Sequence, residues 1–245
     1  MITLERFFLQ IISLTTIKRL LQGVVIVCTL VFPSAGLGQE GPKAVLVDEH
    51  GQLPCDDSLG RLDAFYAELA NNPGDRGLFV ISGRPEIKHR VAFREGLIEA
   101  HTRDRGVDAG RFDFVRAVSD GDLMVQYWRI PPGADRPVIS NVDKTYSLPS
   151  SIKPFMLGAE YSSGDGICPE VNDFPIFVKF LKDNPEARGN IVVRERTLGR
   201  AEAKGRRVVR ELGAKGIARS RIRVFTGTRG ADDHNVPVVE YWFLP

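Results

Sequence analysis

Two kinds of apolar run alternate along this chain, and they alternate in the same order twice. Residues 44–47 form a short β-branched run that suits a strand, and Leu59, Leu62, Phe65, Tyr66 and Leu69 then recur at the three-to-four spacing of a helix buried on one side. A second strand is expected at 78–81, a second helix at about 87–105, and further strands at 112–118 and 123–130. Ser119-Asp-Gly-Asp122 lies between the last two, a short turn that predicts a hairpin. Asp56, Asp57 and Ser58 are expected to cap the first helix, and Asn72-Pro73 to end it.

The second pass opens with Phe155-Met-Leu157 and Tyr161 as an irregular strand, followed by Asp173 as a cap with Pro175 in the first turn. Ile176, Phe177, Phe180 and Leu181 face inward on that helix. Ile191, Val192 and Val193 make the next strand, and Ala201, Gly205, Val208, Val209 and Leu212 place a stripe on the long helix that follows. Gly216 suits the left-handed turn that closes this helix, Ile222, Val224 and Phe225 begin a strand, and the last strand is expected over 236–244.

Individual residues repeat as well as patterns. Asn72-Pro73 recurs 112 positions later as Asn184-Pro185, and Arg76-Gly77 recurs at the same shift as Arg188-Gly189. Gly106-Val107 returns as Gly216-Ile217 and Arg111 as Arg221, both at a shift of 110, and Tyr127-Trp128 returns as Tyr241-Trp242 at 114. The expected fold is therefore α+β, with two β-α-β-α-β-β repeats, each a four-stranded mixed sheet with two helices on one face. Repeat one is expected over 39–133, a proline-punctuated linker over 134–153 and repeat two over 154–245. Alternation on the last strand of each repeat sends the Tyr and Trp rings to opposite faces, one of them under the helices.

The chain has 245 residues, 43% hydrophobic and 26% charged, with a formal net charge of +2, a balance that fits folded domains and excludes a long disordered chain. Its first 38 residues depart from that balance. Lys18 and Arg19 precede an apolar run over 20–32, then the small residues Ser34, Ala35, Gly36 and Gly38, which is the pattern of a signal peptide cleaved near Gly38. The run is short for a membrane-spanning helix, so the mature chain is expected to lack a transmembrane domain and to lie in the periplasm or outside the cell.

Cleavage would remove Cys28 and leave Cys55 and Cys168, which stand 113 positions apart, each between the first strand and first helix of its repeat. If the repeats meet about a two-fold axis near those loops, the two cysteines can form a disulfide, which an exported protein would keep.

A basic stretch stands out over 194–223, with nine Arg and two Lys against Glu195, Glu202 and Glu211. Arg207 with Glu211, and Glu202 with Arg206, have the spacing of exposed helical ion pairs, and the remaining charge fits an anionic envelope surface. Nucleic acid is excluded as a partner by the absence of an interleaved aromatic platform and by export. No metal-ligand or nucleophile motif is present, and neither a metal nor a cofactor is expected. Asp232-Asp233-His234 is the only cluster that would serve an exported hydrolase, and Glu95 with Glu99 is the only helical carboxylate pair considered for acid or base work.

The order of elements, the phrase Leu181-Lys-Asp-Asn-Pro185 before a strand, and Val208-Val-Arg-Glu-Leu-Gly-Ala-Lys-Gly-Ile217 followed by Arg221-Ile222 resemble the peptidoglycan-binding C-terminal domain of the OmpA-like family. That resemblance implies a non-catalytic cell-envelope protein that binds cell-wall glycan or another anionic envelope component. The family's Gly-His-Thr-Asp signature is replaced by Ser82-Gly-Arg-Pro85 in repeat one and Arg194-Glu-Arg-Thr197 in repeat two, so the aspartate that grips the ammonium of diaminopimelate has no counterpart. The family's carboxylate-binding Arg falls near Arg94 and on Lys204. Candidate ligand residues are thus Arg84, Arg94, Arg194, Arg196, Arg200 and Lys204.

Overall fold

The computed structural model describes residues 41–161, 169, 171–230 and 236–245, in which each repeat builds a four-stranded sheet. In repeat one the elements are β1 (Val45–His50), α1 (Cys55–Asn71), β2 (Arg76–Gly83), α2 (Lys88–Asp104), β3 (Phe112–Val118) and β4 (Met124–Ile130). Repeat two has β5 (Phe155–Glu160), α3 (Asp173–Asp183), β6 (Arg188–Glu195), α4 (Leu198–Ala214), β7 (Ile222–Thr228) and β8 (Val239–Leu244). The sheets run β1-β4-β2-β3 and β5-β8-β6-β7, with one parallel pair each, β2 with β3 and β6 with β7. This is the α+β architecture read from the pattern, a β-α-β-α-β-β unit made twice.

The expected hairpin between β3 and β4 does not form. β4 passes over the end of β2 and inserts antiparallel between β1 and β2. The loop is held there by Ser119 N donating to Gly83 O at 3.1 Å and Arg84 N donating to Gly121 O at 3.0 Å. Crossing one strand requires a displacement of two inter-strand spacings, about 10 Å, which a loop of this length spans. Insertion gives the central position to Val125 and Tyr127, both fully buried, whereas an edge would have left them half wet.

Both repeats bulge on the first strand, between Leu46 and Asp48 and between Met156 and Gly158. Leu62, Phe65 and Leu69 of α1 pack on Phe79 and Tyr127, and Ile176, Phe177, Phe180 and Leu181 of α3 pack on Ile191, Tyr241 and Phe243. Gly77 and Gly189 are small because an aromatic ring lies over each. A Cβ at Gly189 would come within 2.4 Å of Phe177, and one at Gly77 within 2.7 Å of Phe112. Gly106 and Gly216 close α2 and α4 at φ of +64° and +85°, as the sequence led one to expect of Gly216. Tyr127 and Tyr241 lie under the helices, and Trp128 and Trp242 are more exposed, as alternation required.

Two helix starts differ in detail from the reading above. Asp56 and Asp57 lie inside the first turn of α1, whose N-cap is Pro54, and Ser58 is buried and bonds Arg94 instead of capping. In α3 the cap is Asn172, whose side chain accepts from Phe174 N, and Asp173 turns inward so that its Oδ2 accepts from Ala159 N at 2.8 Å. Thr197 caps α4.

The repeats meet where α2 of the first packs against β5 and α3 of the second. His89 of α2 lies 4.5 Å, centroid to centroid, from Phe155 of β5, and the α-carbon of Gly96 faces Val171 and Ile176 so closely that a Cβ would stand 2.9 Å from Val171. Ala92 joins the core of repeat two. The connecting segment 131–154 is itself packed: Val118 N donates to Asn141 O at 2.9 Å and Asp143 N to Arg116 O at 2.9 Å, so residues 141–143 lie along the outer edge of β3. Tyr146 then buries its ring between the repeats.

Candidate ligand-binding site

Each repeat places a cation from its second helix, a tyrosine from its fourth strand and the last residue of its first strand around one point beneath the helices. In repeat two these are Lys204, Tyr241 and Glu160. Lys204 Nζ lies 3.7 Å from Glu160 Oε2, and Tyr241 Oη donates to Glu160 Oε1 at 2.5 Å, so this repeat supplies its own carboxylate to its own cation. Burial, the hydrogen bond to Glu160 and its negative charge all hold the Tyr241 phenol well above its ordinary value.

Repeat one has Arg94, Tyr127 and His50 in the same places. His50 Nε2 lies 2.9 Å from Tyr127 Oη, and burial pushes the imidazole below its ordinary value, toward the neutral form. Arg94 is buried at 6% exposure and donates to Ser58 Oγ and to Leu53 O, the latter at 3.3 Å. Among the described residues its Nε has no hydrogen-bond partner and the guanidinium forms no ion pair with a carboxylate. Burial lowers the Arg94 pKa and raises that of Tyr127 to about 12. A charge taken from water without a counter-ion is costly, and repeat two shows what would compensate for it here.

Arg94 forms part of the wall of a cavity of about 350 Å³, together with Gln52, Leu53, His89, Arg90 and Leu157. A second cavity of about 640 Å³ shares Gln52, Arg90 and Leu123 with it and reaches Ser82 and the 119–122 loop. Together they make a cleft that begins at the end of β2 and runs in toward Arg94. Arg84 stands at its mouth, paired with Asp122 at 2.6 Å.

The six residues singled out by sequence do not form one site. Arg84 and Arg94 belong to this cleft; Arg194 lies on the opposite, open face of the second sheet, bonded to Glu240, which also accepts from Trp242 Nε1 at 2.7 Å. Strand alternation explains this, because Val193 occupies the helix-facing position. Lys204 is neutralised by Glu160, and Arg196 and Arg200 are exposed with no carboxylate partner among the described residues. The pairs Arg206–Glu202 at 3.7 Å and Arg207–Glu211 at 3.1 Å form as read from spacing.

Sequence reasoning missed His50, Gln52, His89 and Arg90. The one available signal for His50 was its alignment with Glu160 at the shift of 110 that relates the second helices. Asp232, Asp233 and His234 lie outside the described residues, as do Cys168 and the segment 1–40 that contains the expected signal. Glu95 is held by Arg116 Nη1 at 2.8 Å, and burial together with the charge of Glu95 raises the Glu99 carboxyl above its ordinary value. Among the described residues no group of three or more His, Cys, Asp or Glu is placed to hold a metal, and no helix is long and apolar enough to cross a membrane. No protein-family model, curated protein or solved structure matches this chain.

Proposed function

We propose that this is an exported, non-catalytic cell-envelope protein whose first repeat binds a carboxylate-bearing component of the cell wall in the cleft that leads to Arg94. One observation carries the reading: among the described residues no carboxylate pairs with the buried guanidinium of Arg94, whereas Lys204, its counterpart, has Glu160. A ligand carboxylate would complete in repeat one the pair that repeat two completes internally, and a planar guanidinium is the side chain suited to it. The resemblance to OmpA-like domains points to the same class of ligand, and the missing aspartate removes the ammonium contact of the usual diaminopimelate mode.

Co-sedimentation with purified cell-wall sacculi tests this. Arg94→Gln is expected to weaken binding about tenfold or more, the cost of losing a charge-assisted contact in a desolvated site. Lys204→Gln should leave binding near the parent value. Arg196→Gln combined with Arg200→Gln should change only its salt dependence, since exposed charges are screened. Equal binding by the parent and Arg94→Gln, with both folded, would reject the cleft.

Export carries a second expectation, a bond between Cys55 and Cys168. Cys55 opens α1 beside the cavity that Leu157 of repeat two also lines, which brings the first helix of one repeat close to the first strand of the other. The unfolded, unreduced mature chain is expected to show no reactive thiol and to run as a monomer on a non-reducing gel. Two thiols per chain would refute the bridge, and N-terminal sequencing of the same material checks cleavage near Gly38.

A further inference from the structure

Among the described residues, the first repeat is covered along an edge that the second leaves bare. In repeat one the outer edge of β3 is paired by residues 141–143, and Tyr146 then seats its ring in the groove between α2 and β3. There the Arg116 guanidinium carbon lies 4.3 Å from the ring centroid, Arg116 Nη1 donates to Tyr146 Oη at 2.7 Å, and Glu95 holds Arg116. At the shift of 110 that relates the second helices, Glu95 becomes Gly205 and Arg116 becomes Thr226. The groove they filled is open in repeat two, with a volume of about 420 Å³ between α4 and β7.

Val209, Val224 and Thr226 line this groove, and Arg206, Arg210 and Arg219 rim it against a single acid, Glu202. No described residue pairs with the outer edge of β7, and Phe225 on that strand is 50% exposed. An open edge strand is a template for another extended chain. The chain thus shows on its first repeat how such a segment docks, and repeats the receptor on its second with no described residue in the occupant's place.

We propose that the β7 edge and the α4/β7 groove bind an extended, acidic segment of a partner protein, which adds antiparallel to β7 and places an aromatic ring in the groove. The rim arginines select its charge, and the vacated space beside Gly205 accepts its ring. A second copy docking as repeat two docks on repeat one fits poorly. Ala92, Gly96 and Ala100, whose smallness admits α3 against α2, correspond to Glu202, Arg206 and Arg210. The 141–146 segment of a second copy is also already held by its own first repeat.

The probe is a labelled peptide of residues 140–148 carrying Lys144→Glu, titrated against the folded chain at low salt and followed by anisotropy and amide exchange. The expected result is saturable binding that weakens with salt and slows exchange over 224–228. Thr228→Pro removes the amide equivalent to that of Val118, which bonds Asn141 in repeat one, and should abolish binding. Arg206→Glu with Arg210→Glu should weaken it about tenfold or more and invert the preference for acidic peptide. If Thr228→Pro does not fold, the charge-reversed variant decides alone. No saturable binding, equal binding of a scrambled peptide, or unchanged affinity in the folded variants would overturn the proposal. Self-association lost in Thr228→Pro without peptide binding would overturn it in favour of a second copy.

Discussion

Arg221→Ala is expected to destabilise the protein by roughly 3 kcal/mol, since charge-assisted hydrogen bonds contribute about 1.5–3 kcal/mol each and are not additive. Its guanidinium closes the end of α3 and ties it to the start of β6. Nη2 donates to Leu181 O at 2.8 Å and Asn184 O at 2.7 Å, and Nε donates to Ala187 O at 2.7 Å. These carbonyls lie at the helix end and in the turn that follows, where Asn184 O also accepts from Ala187 N at 3.1 Å. Arg111 does the same for α1, with Nη2 reaching Leu69 O, Asn72 O and Asp75 O at 3.0, 3.2 and 3.0 Å. Arg221→Lys should recover less than half of the loss, because one ammonium cannot span the three carbonyls that the planar fork reaches together. Urea unfolding reads the effect as a midpoint lowered by roughly 1 M or more, given slopes of about 1–3 kcal/mol/M. A shift within error in both Arg221→Ala and Arg111→Ala would mean that water replaces the guanidinium without cost.

That contact gives the sequence repeat a cause. Asn-Pro and the later Arg are far apart in the chain, yet each Arg binds the backbone of its own Asn-Pro turn, and Asn184 Nδ2 in addition donates to Phe180 O at 2.8 Å. The repeated positions are therefore joints of the scaffold. The elements themselves were legible for a local reason: each is marked by its own period, 3.6 under the helices and two along the strands. Strand order was not. Whether β4 sits beside β3 or between β1 and β2 depends on which partner buries Val125 and Tyr127 better, a comparison that no local window contains.

The candidate site was half legible for the same reason. Arg94 could be placed from its distance to Gly106, because both lie on α2 or at its end, one continuous element. That His50 rather than a carboxylate stands at the place of Glu160 depends on the pairing of β1 with β4. Arg194 lies on the open face because one position along a strand separates the core side from the open side. Asp173 looked like a cap because it opens an apolar stripe, and the bulge at Gly158 is what draws it inward. A Cβ at that glycine would stand 2.1 Å from the Asp173 carboxyl carbon.

Two buried groups should leave the parent protein with a nearly flat stability between about pH 6.5 and 4, and either single variant should tilt it. Burial, then the charge of Arg90, pushes His89 at the repeat interface from 6.5 down to about 4. Its folded-state proton affinity is below the unfolded one, so its contribution is complete above pH 6.5 and is lost as pH falls toward 4. Asp173 has the opposite sign. Burial and the nearby Glu160 raise its carboxyl from 3.8 to about 6 against the bond from Ala159 N, and its Oδ1 has no partner. Its contribution is complete below pH 3.8 and is lost as pH rises through about 6. A tenfold change in proton affinity is about 1.4 kcal/mol, so each group shifts stability across this window by about 3 kcal/mol, in opposite directions. His50, lowered by burial, adds to the first effect, and Glu99, raised by burial and by Glu95, adds to the second. Asp63 and Asp143 are held below the ordinary carboxylate value despite partial burial, by bonds to His101 and Arg105 and by bonds to Lys88 and Thr145, so their losses fall below this window. Asp173→Asn should therefore lose about 3 kcal/mol between pH 6.5 and 4 relative to the parent, and His89→Gln should gain about as much. Urea midpoints at pH 7, 5.5 and 4 measure the three slopes. Parallel slopes would show that neither group changes its proton affinity on folding.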